Sequence, residues 1–442
     1  MFERPKYLQM LIDGQRNGLV KVITGMRRCG KSYLLNRLFY GYLVQSKEVD
    51  PRYIVRFAFD SAEDVMKLDD YLPEEPTRIK KEGQWRVNYK KFIAYIKDLT
   101  GEAGDYYFLL DEIQILDEFV LVLNGFLQHE NFDVFVTGSN SRFLSSEVDT
   151  EFGGRGYRIH LLPLSFEEYL AGSGLSKQDA LQEYIRYGGI PLVQLSAGHE
   201  GKAKQAMSIY RETYLKDILQ RHPRVSESNL DDIMKVIASM ISTPVNPIRI
   251  ENTFRSTYGV SITNNTVADY ICWCEGAYLL NKVLRYDVKG RKYIGTPYKI
   301  YFEDVGIRNA ILNFREVDET DIIENIVYNE LRYRGFSVDV GVVYSKRNSG
   351  KKDVNGKDIY VDVATEVDFV ANNESQTYYV QVALRIDTEE KKNQEYDSIR
   401  HIPDSFRKVI VVKDEGLPYH TNEGFLRISL LDFLQNPDSL NM

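Results

Sequence analysis

The sequence predicts an α/β protein built around a parallel sheet, and three observations lead there. Along the first part of the chain, apolar β-type runs alternate with helical patterns of roughly ten to fifteen residues. One run, FLLDE at 108–112, is continuously apolar and ends in two acids, as a strand buried on both faces does. The 442 residues are 43% hydrophobic and 27% charged, enough for about two to four domains with ordinary cores.

Taken in order, an opening helix (3–17) precedes the strand LVKVIT at 19–24, and a helical pattern runs on to about residue 45. YIVRFAFD at 53–60 alternates and is β-branched, so it reads as a second strand. A polar stretch containing Pro73 and Pro76 intervenes before a helix at 88–99. YYFLLDE (106–112), DVFVTGSN (133–140) and YRIHLLP (157–163) complete the first set of strands. Residues 175–240 are helical in pattern, and 245–300 change to two short helices and a ribbon (278–295) turning at Lys289-Gly290. A further α/β region begins with the helix IIENIVYNELRYRG. It continues with strands near 336–344, 360–371 and 377–384, a helix at 388–400 and the strand KVIVV at 408–412. The implied domains are 1–175, 176–245, 246–310 and 311–442.

The net charge of −8 argues against avid nucleic-acid binding by the whole surface and leaves room for a local basic patch. The three cysteines, Cys29, Cys272 and Cys274, lack metal-ligand spacing and suit a reducing compartment. MFERPKYLQM has no apolar core of signal-peptide length, and no apolar run reaches the roughly 18 residues of a membrane span. The expectation is a cytoplasmic protein without membrane partners.

Gly25-Met26-Arg27-Arg28-Cys29-Gly30-Lys31-Ser32 matches the phosphate loop G-x-x-x-x-G-K-[ST] without a mismatch, between a strand and a helix. Glycines let the backbone wrap a triphosphate, while amide N–H groups and the helix start face its charge. Lys31 is expected to reach the β/γ oxygens and Ser32 to ligate Mg²⁺. Asp111 and Glu112 supply the acids such chemistry needs, Asp111 toward the magnesium and Glu112 to polarise the attacking water. The next strand ends in Thr137-Gly138-Ser139-Asn140, where Ser139 or Asn140 is expected to sense a γ-phosphate. Arg155 in EFGGRGYR is the candidate for the transition-state charge, with Arg142 and Arg158 as rivals. A guanine-specific N-K-x-D string is absent, since Asn281-Lys282-Val283-Leu284 lacks the acid, so ATP is favoured over GTP.

GMRRCGKS, FLLDEIQ, VTGSNS, GGRGYRIHLLPLSFEEYL and YGGIPLV together resemble the prokaryotic AAA+ ATPases that carry a C-terminal domain of unknown function (DUF4143 type). TNNTVADYI, KIYFEDVGIRNA and ENIVYNELRYRG extend the resemblance over nearly the whole chain. It implies an ATPase core, a winged-helix-like middle and a nuclease-like C-terminal fold. Lys31 and Ser32 fall on the family's Walker A pair, Asp111 and Glu112 on its Walker B pair, and Arg155 on its G-R position. A homo-oligomer is a further expectation, with Arg155 acting in cis or across an interface.

Segments 248–258, 263–275 and 278–295 have the lengths of a winged helix-turn-helix. Its second helix begins at a Thr263 cap, yet carries Asp269 and Glu275 and no lysine or arginine. The basic residues Lys282, Arg285, Lys289, Arg291 and Lys292 lie in the ribbon, which leaves DNA binding and protein docking both open. In the last domain, Glu324, Asp368 in EVDFV and the strand YYVQVAL are similar to the PD-(D/E)xK nuclease layout. Gln381 stands where an acid is expected and Ala383 where the lysine is, with Lys391 or Lys392 as distant substitutes. A retained fold used for interaction is therefore favoured over a working nuclease. The leading expectation is an ATPase that drives conformational change in its attached domains. An ATP-dependent DNA nuclease and a nucleotide-gated scaffold are the alternatives.

Overall fold

A computed structural model describes the chain except residues 1, 82, 102, 139–153, 223–224, 260–261, 316–318, 353–355, 357 and 415. It divides into two compact units, Met1–Pro163 with Gly276–Tyr278, and Leu164–Glu275 with Leu279–Met442.

The first unit is organised by five parallel strands: β1 (Val20–Thr24), β2 (Ile54–Ala58), β5 (Tyr106–Asp111), β6 (Phe132–Thr137) and β7 (Gly156–His160). Their order across the sheet is β2-β5-β6-β1-β7, so the strand after the phosphate loop lies at one edge and β7 at the other. β1 and β5 are buried along their full length, which explains why β5 reads as a continuous apolar run up to Asp111 and β1 as one broken only by Lys21. The one charge inside β1, Lys21, is partnered by Asp133 of β6 under the ring of Phe135. Burial alone would depress the Lys21 ammonium, and the carboxylate opposes it. A core of Val55, Phe57, Phe92, Phe108, Phe126 and neighbours fills one side of the sheet.

The polar stretch with Pro73 and Pro76 contains a two-stranded hairpin, β3 (Arg78–Lys81) and β4 (Gln84–Val87). It escapes sequence reading because RIKK holds one apolar residue and the alternation in QWRV is only four residues long, with Trp85 61% exposed.

The second unit begins with helices Phe166–Ser173 and Lys177–Tyr187. A capping box starts the first: Ser165 accepts from the Glu168 N–H at 3.2 Å while the Glu168 carboxylate accepts from the Ser165 N–H at 3.0 Å. Gly189 is required by close approach, since a Cβ there would lie 2.3 Å from the Leu164 carbonyl oxygen. The expected middle elements are present as helices Pro247–Tyr258 and Asn264–Gly276, capped by Asn246 and Thr263, and a ribbon of β8 (Leu280–Asp287) and β9 (Lys292–Phe302). The ribbon is not an isolated wing. It extends an eight-stranded mixed sheet through parallel pairing of β8 with β10 (Ser337–Lys352). That sheet continues through β11 (Asp358–Asn372), β12 (Thr377–Ala383), β13 (Arg407–Val412), β15 (Leu426–Ser429) and β14 (Tyr419–His420). Helices Glu319–Tyr333 and Glu389–Arg400 pack on it.

Candidate nucleotide-binding site

All five strands of the first sheet run the same way, so their C-terminal ends share one edge, where ligands of open α/β sheets bind. The loop Gly25–Gly30 leaves β1 at that edge. Gly25 takes φ 138°, and a Cβ on it would stand 2.2 Å from the Leu161 carbonyl oxygen. Arg28 and Gly30 are also left-handed, at φ 68° and 104°, which curls the loop before a helix begins at Lys31. That helix runs on through π-type turns Leu34–Phe39 and Tyr42–Ser46. Met26 and Cys29 are fully buried, so these two can offer a phosphate only their backbone. Lys31 donates to its own loop, to the Gly25 carbonyl at 3.0 Å and the Met26 carbonyl at 2.9 Å. The same loop is anchored from behind: Arg4, 3% exposed, donates to the carbonyls of Cys29 at 3.1 Å and Leu162 at 2.7 Å.

Asp111 closes β5 beside this loop and is 6% exposed. Its carboxylate receives the hydroxyls of Thr137 and Ser32, with the Asn36 amide at 3.4 Å. Burial nevertheless pushes the carboxyl above its ordinary range, helped by Glu112 and Asp60. Glu112 has a left-handed backbone, φ 52°, and its N–H donates to the Thr137 hydroxyl at 3.0 Å. A side chain of this size pays for that conformation, a pattern frequent at functional positions. The Gln114 amide holds the Glu112 carboxylate.

Ser32 and Asp111 thus stand together with hard oxygen donors, a set that suits Mg²⁺ held by few protein ligands. Thr137, Asn36 and Asp60 escaped sequence reasoning. Thr137 ends β6, the strand between β1 and β5, and so reaches both acids. Asp60 follows β2, whose Ala58 pairs with Asp111, and the Phe59 N–H donates to the Asp111 carbonyl at 3.1 Å. Its carboxyl is raised by burial and by Glu112, while Arg28 acts against the shift. The available signal was YIVRFAFD itself, an apolar strand ending in an acid just as FLLD does.

Ser139, Asn140 and Arg142 lie outside the described residues. Arg155 is exposed immediately before β7, and its carbonyl accepts the Val20 N–H at 3.0 Å. Arg158 is exposed within β7.

In the second unit, Glu324 and Asp368 do come together, on the helix Glu319–Tyr333 and on β11. The expected gap at Ala383 is met from an unexpected place, because Lys299 of β9 sits between them. Gln381 is buried on β12, where its amide donates to Glu395 at 3.2 Å. Lys391 does not reach the acids: it pairs with Glu395 at 2.7 Å, and Lys392 with Glu389 at 3.4 Å. In the ribbon, the Lys289 ammonium donates to the Tyr344 carbonyl at 2.7 Å and Arg285 lies 3.7 Å from Glu366, so part of the basic set is engaged internally. No helix of the described residues is long and apolar enough to cross a membrane.

Comparison with known proteins adds the following. Residues 17–170 match a family described as an AAA domain, and residues 178–318 match a domain of unknown function, DUF8612. An uncharacterised protein of Haemophilus influenzae is 31% identical over 442 residues, covering 98% of both chains. An uncharacterised protein of Methanocaldococcus jannaschii is 26% identical over 354 residues, 76% of this chain and 71% of its own. Among solved structures, the Walker-type ATPase of Pyrococcus abyssi covers 71% of this chain and 96% of its own at 13% identity, with a TM-score of 0.45. AMPPCP-bound DnaA of Aquifex aeolicus covers 61% and 86% at 16% identity, with a TM-score of 0.30.

Proposed function

The chain belongs to one family with the Haemophilus influenzae protein and carries an AAA-type ATPase domain, and from that premise we propose that it hydrolyses ATP with Mg²⁺ to drive conformational change in its later domains. The observation that supports this most is the convergence of Lys31, Ser32, Asp111, Glu112 and Thr137 at one sheet edge. Lys31 is held by carbonyls of the loop that would surround the phosphates, and a γ-phosphate is a stronger partner for an ammonium than two neutral carbonyls. Ser32 and Asp111 would hold the metal, which neutralises charge between the β- and γ-phosphates. Glu112, fixed through its N–H by Thr137 and through its carboxylate by Gln114, orients the attacking water. Arg155 is proposed for the transition-state charge, and Ser139 or Asn140 for sensing the γ-phosphate. ATP is the proposed nucleotide because nothing in the sequence offers the guanine-reading acid.

The test is phosphate release by the full chain. Lys31→Ala should lose both binding and turnover, whereas Glu112→Gln should keep ATP bound and slow turnover by about a hundredfold or more, the scale of a lost general-base contribution. Unchanged release in both variants would end this reading. DNA and protein remain the two proposed classes of partner for the helices 247–276 and the ribbon. The internal engagement of Lys289 and Arg285 weighs toward protein.

A further inference from the structure

The second unit contains a cluster of charge that nucleotide hydrolysis does not use. Glu366 and Asp368 are two residues apart on β11 and both reach one lysine; Gln381 of β12 lines a cleft with Glu366, and Glu324 arrives from the helix Glu319–Tyr333. The Lys299 ammonium, 3% exposed, sits among them, 2.7 Å from Glu366, 2.9 Å from Glu324 and 3.8 Å from Asp368. Tyr301, two residues on, donates to Glu324 at 2.6 Å, and the Val382 N–H donates to Asp368 at 2.8 Å. A second kind of observation marks the place. Gln381 is 8% exposed, its amide nitrogen is used by Glu395 at 3.2 Å, and its carbonyl oxygen is a buried acceptor with no donor. A cleft of about 460 Å³ opens on Glu366, Gln381 and Asp397.

Three carboxylates and an unmet amide oxygen are the donors a hard divalent cation takes. Here the position between the two glutamates is filled by Nζ of Lys299, a cation attached to the chain. As they stand, no group of three or more His, Cys, Asp or Glu among the described residues is disposed to hold a metal ion. We propose that the C-terminal unit contains a carboxylate site for a divalent cation that Lys299 keeps closed with its own ammonium group, so that removing this charge opens the site to Mn²⁺ or Mg²⁺. An entering ion would have to displace a buried ammonium and leave it without counter-charge, and that cost holds the wild-type site shut. Without the ammonium, the buried Glu324 and Asp368 must take up either protons or another cation, and Mn²⁺ or Mg²⁺ can compete for that place.

The experiment is Mn²⁺ titration of the full chain without nucleotide, read by calorimetry and by the Mn²⁺ electron paramagnetic resonance signal. Lys299→Met should gain one Mn²⁺ site at least about tenfold tighter than any in the wild type, and Mn²⁺ should raise its unfolding temperature but not that of the wild type. Lys299→Met/Asp368→Asn should lose the gained site. Wild-type chain that binds Mn²⁺ as tightly, with binding lost in Asp368→Asn, would overturn the proposal; so would a folded Lys299→Met that binds none. Should Lys299→Met fail to fold, Lys299→Met/Glu366→Gln removes one charge of each sign, and the same gain or its absence in that variant decides.

Discussion

At the scale of single residues, the nucleotide edge holds three acids within reach of one another, and only two were legible. Asp111 and Glu112 stand out because they end the most apolar strand; Asp60 ends a strand whose Arg56 breaks the run and hides the parallel. Asp60 feels both Glu112 and Arg28, which makes it a third charge beside the proposed hydrolytic residues. Asp60→Asn should leave ATP binding intact and lower turnover by about tenfold, roughly 1.4 kcal/mol of barrier. Turnover equal to wild type across a Mg²⁺ titration would show that Asp60 is a bystander. Thr137 was passed over for its neighbours Ser139 and Asn140, since a sequence does not say at which residue a strand stops being a strand. The hydrogen bonds of Thr137 to Asp111 and Glu112 answer that for the described part of the segment.

At the scale of elements, the strands of the first sheet were readable from apolar runs, while the exposed hairpin β3–β4 and the short strands β14 and β15 carry too little periodicity to announce themselves. The strings YGGIPLV and KIYFEDVGIRN looked like family markers without a reason. The reason is one buried cap: Asp304 starts the helix Val305–Ile311, accepting from the Ile307 N–H at 3.0 Å, and its other oxygen accepts from the Gly189 N–H at 2.7 Å. Burial pushes the Asp304 carboxyl up to about 6 in spite of these donors. The folded chain therefore keeps a proton that the unfolded chain has released between pH 4 and 6. Stability from this group is greatest below about pH 4, falls as the pH rises to 6 and is level beyond, a change of up to roughly 3 kcal/mol. Denaturant midpoints from pH 4 to 7 should show this slope in the wild type and lack it in Asp304→Asn. Parallel slopes in the two would remove Asp304 as its source.

For the whole molecule, an AAA-type domain followed by further folded segments was visible in the sequence, because motif order survives where boundaries do not. What stayed hidden was long-range pairing: nothing in YLLNKVLRYDVKGRKYIG reveals that its first strand lies beside β10, or that Lys299 serves acids on β11. Sequence separation of this kind is settled by packing alone. Arg155, exposed at the start of β7, is available to a second copy of the chain. Glu112→Gln with ATP and Mg²⁺ should sediment as an assembly larger than the nucleotide-free chain, and Arg155→Ala should bind ATP without turning it over. A single monomeric boundary at all concentrations would refute action between copies.

Arg4 ties two stretches of backbone that the sequence separates widely: the carbonyl of Cys29 inside the phosphate loop, and the carbonyls of Leu162 and Pro163, where the first unit's main segment ends. A guanidinium is rigid and planar, so it works as a yoke: if the loop tightens on a triphosphate, the exit from β7 is tugged with it. Amide exchange at Leu161 and Leu162 should slow when ATP is added and cease to respond in Arg4→Met, and an unaltered response in that variant would mean the tug travels by another route.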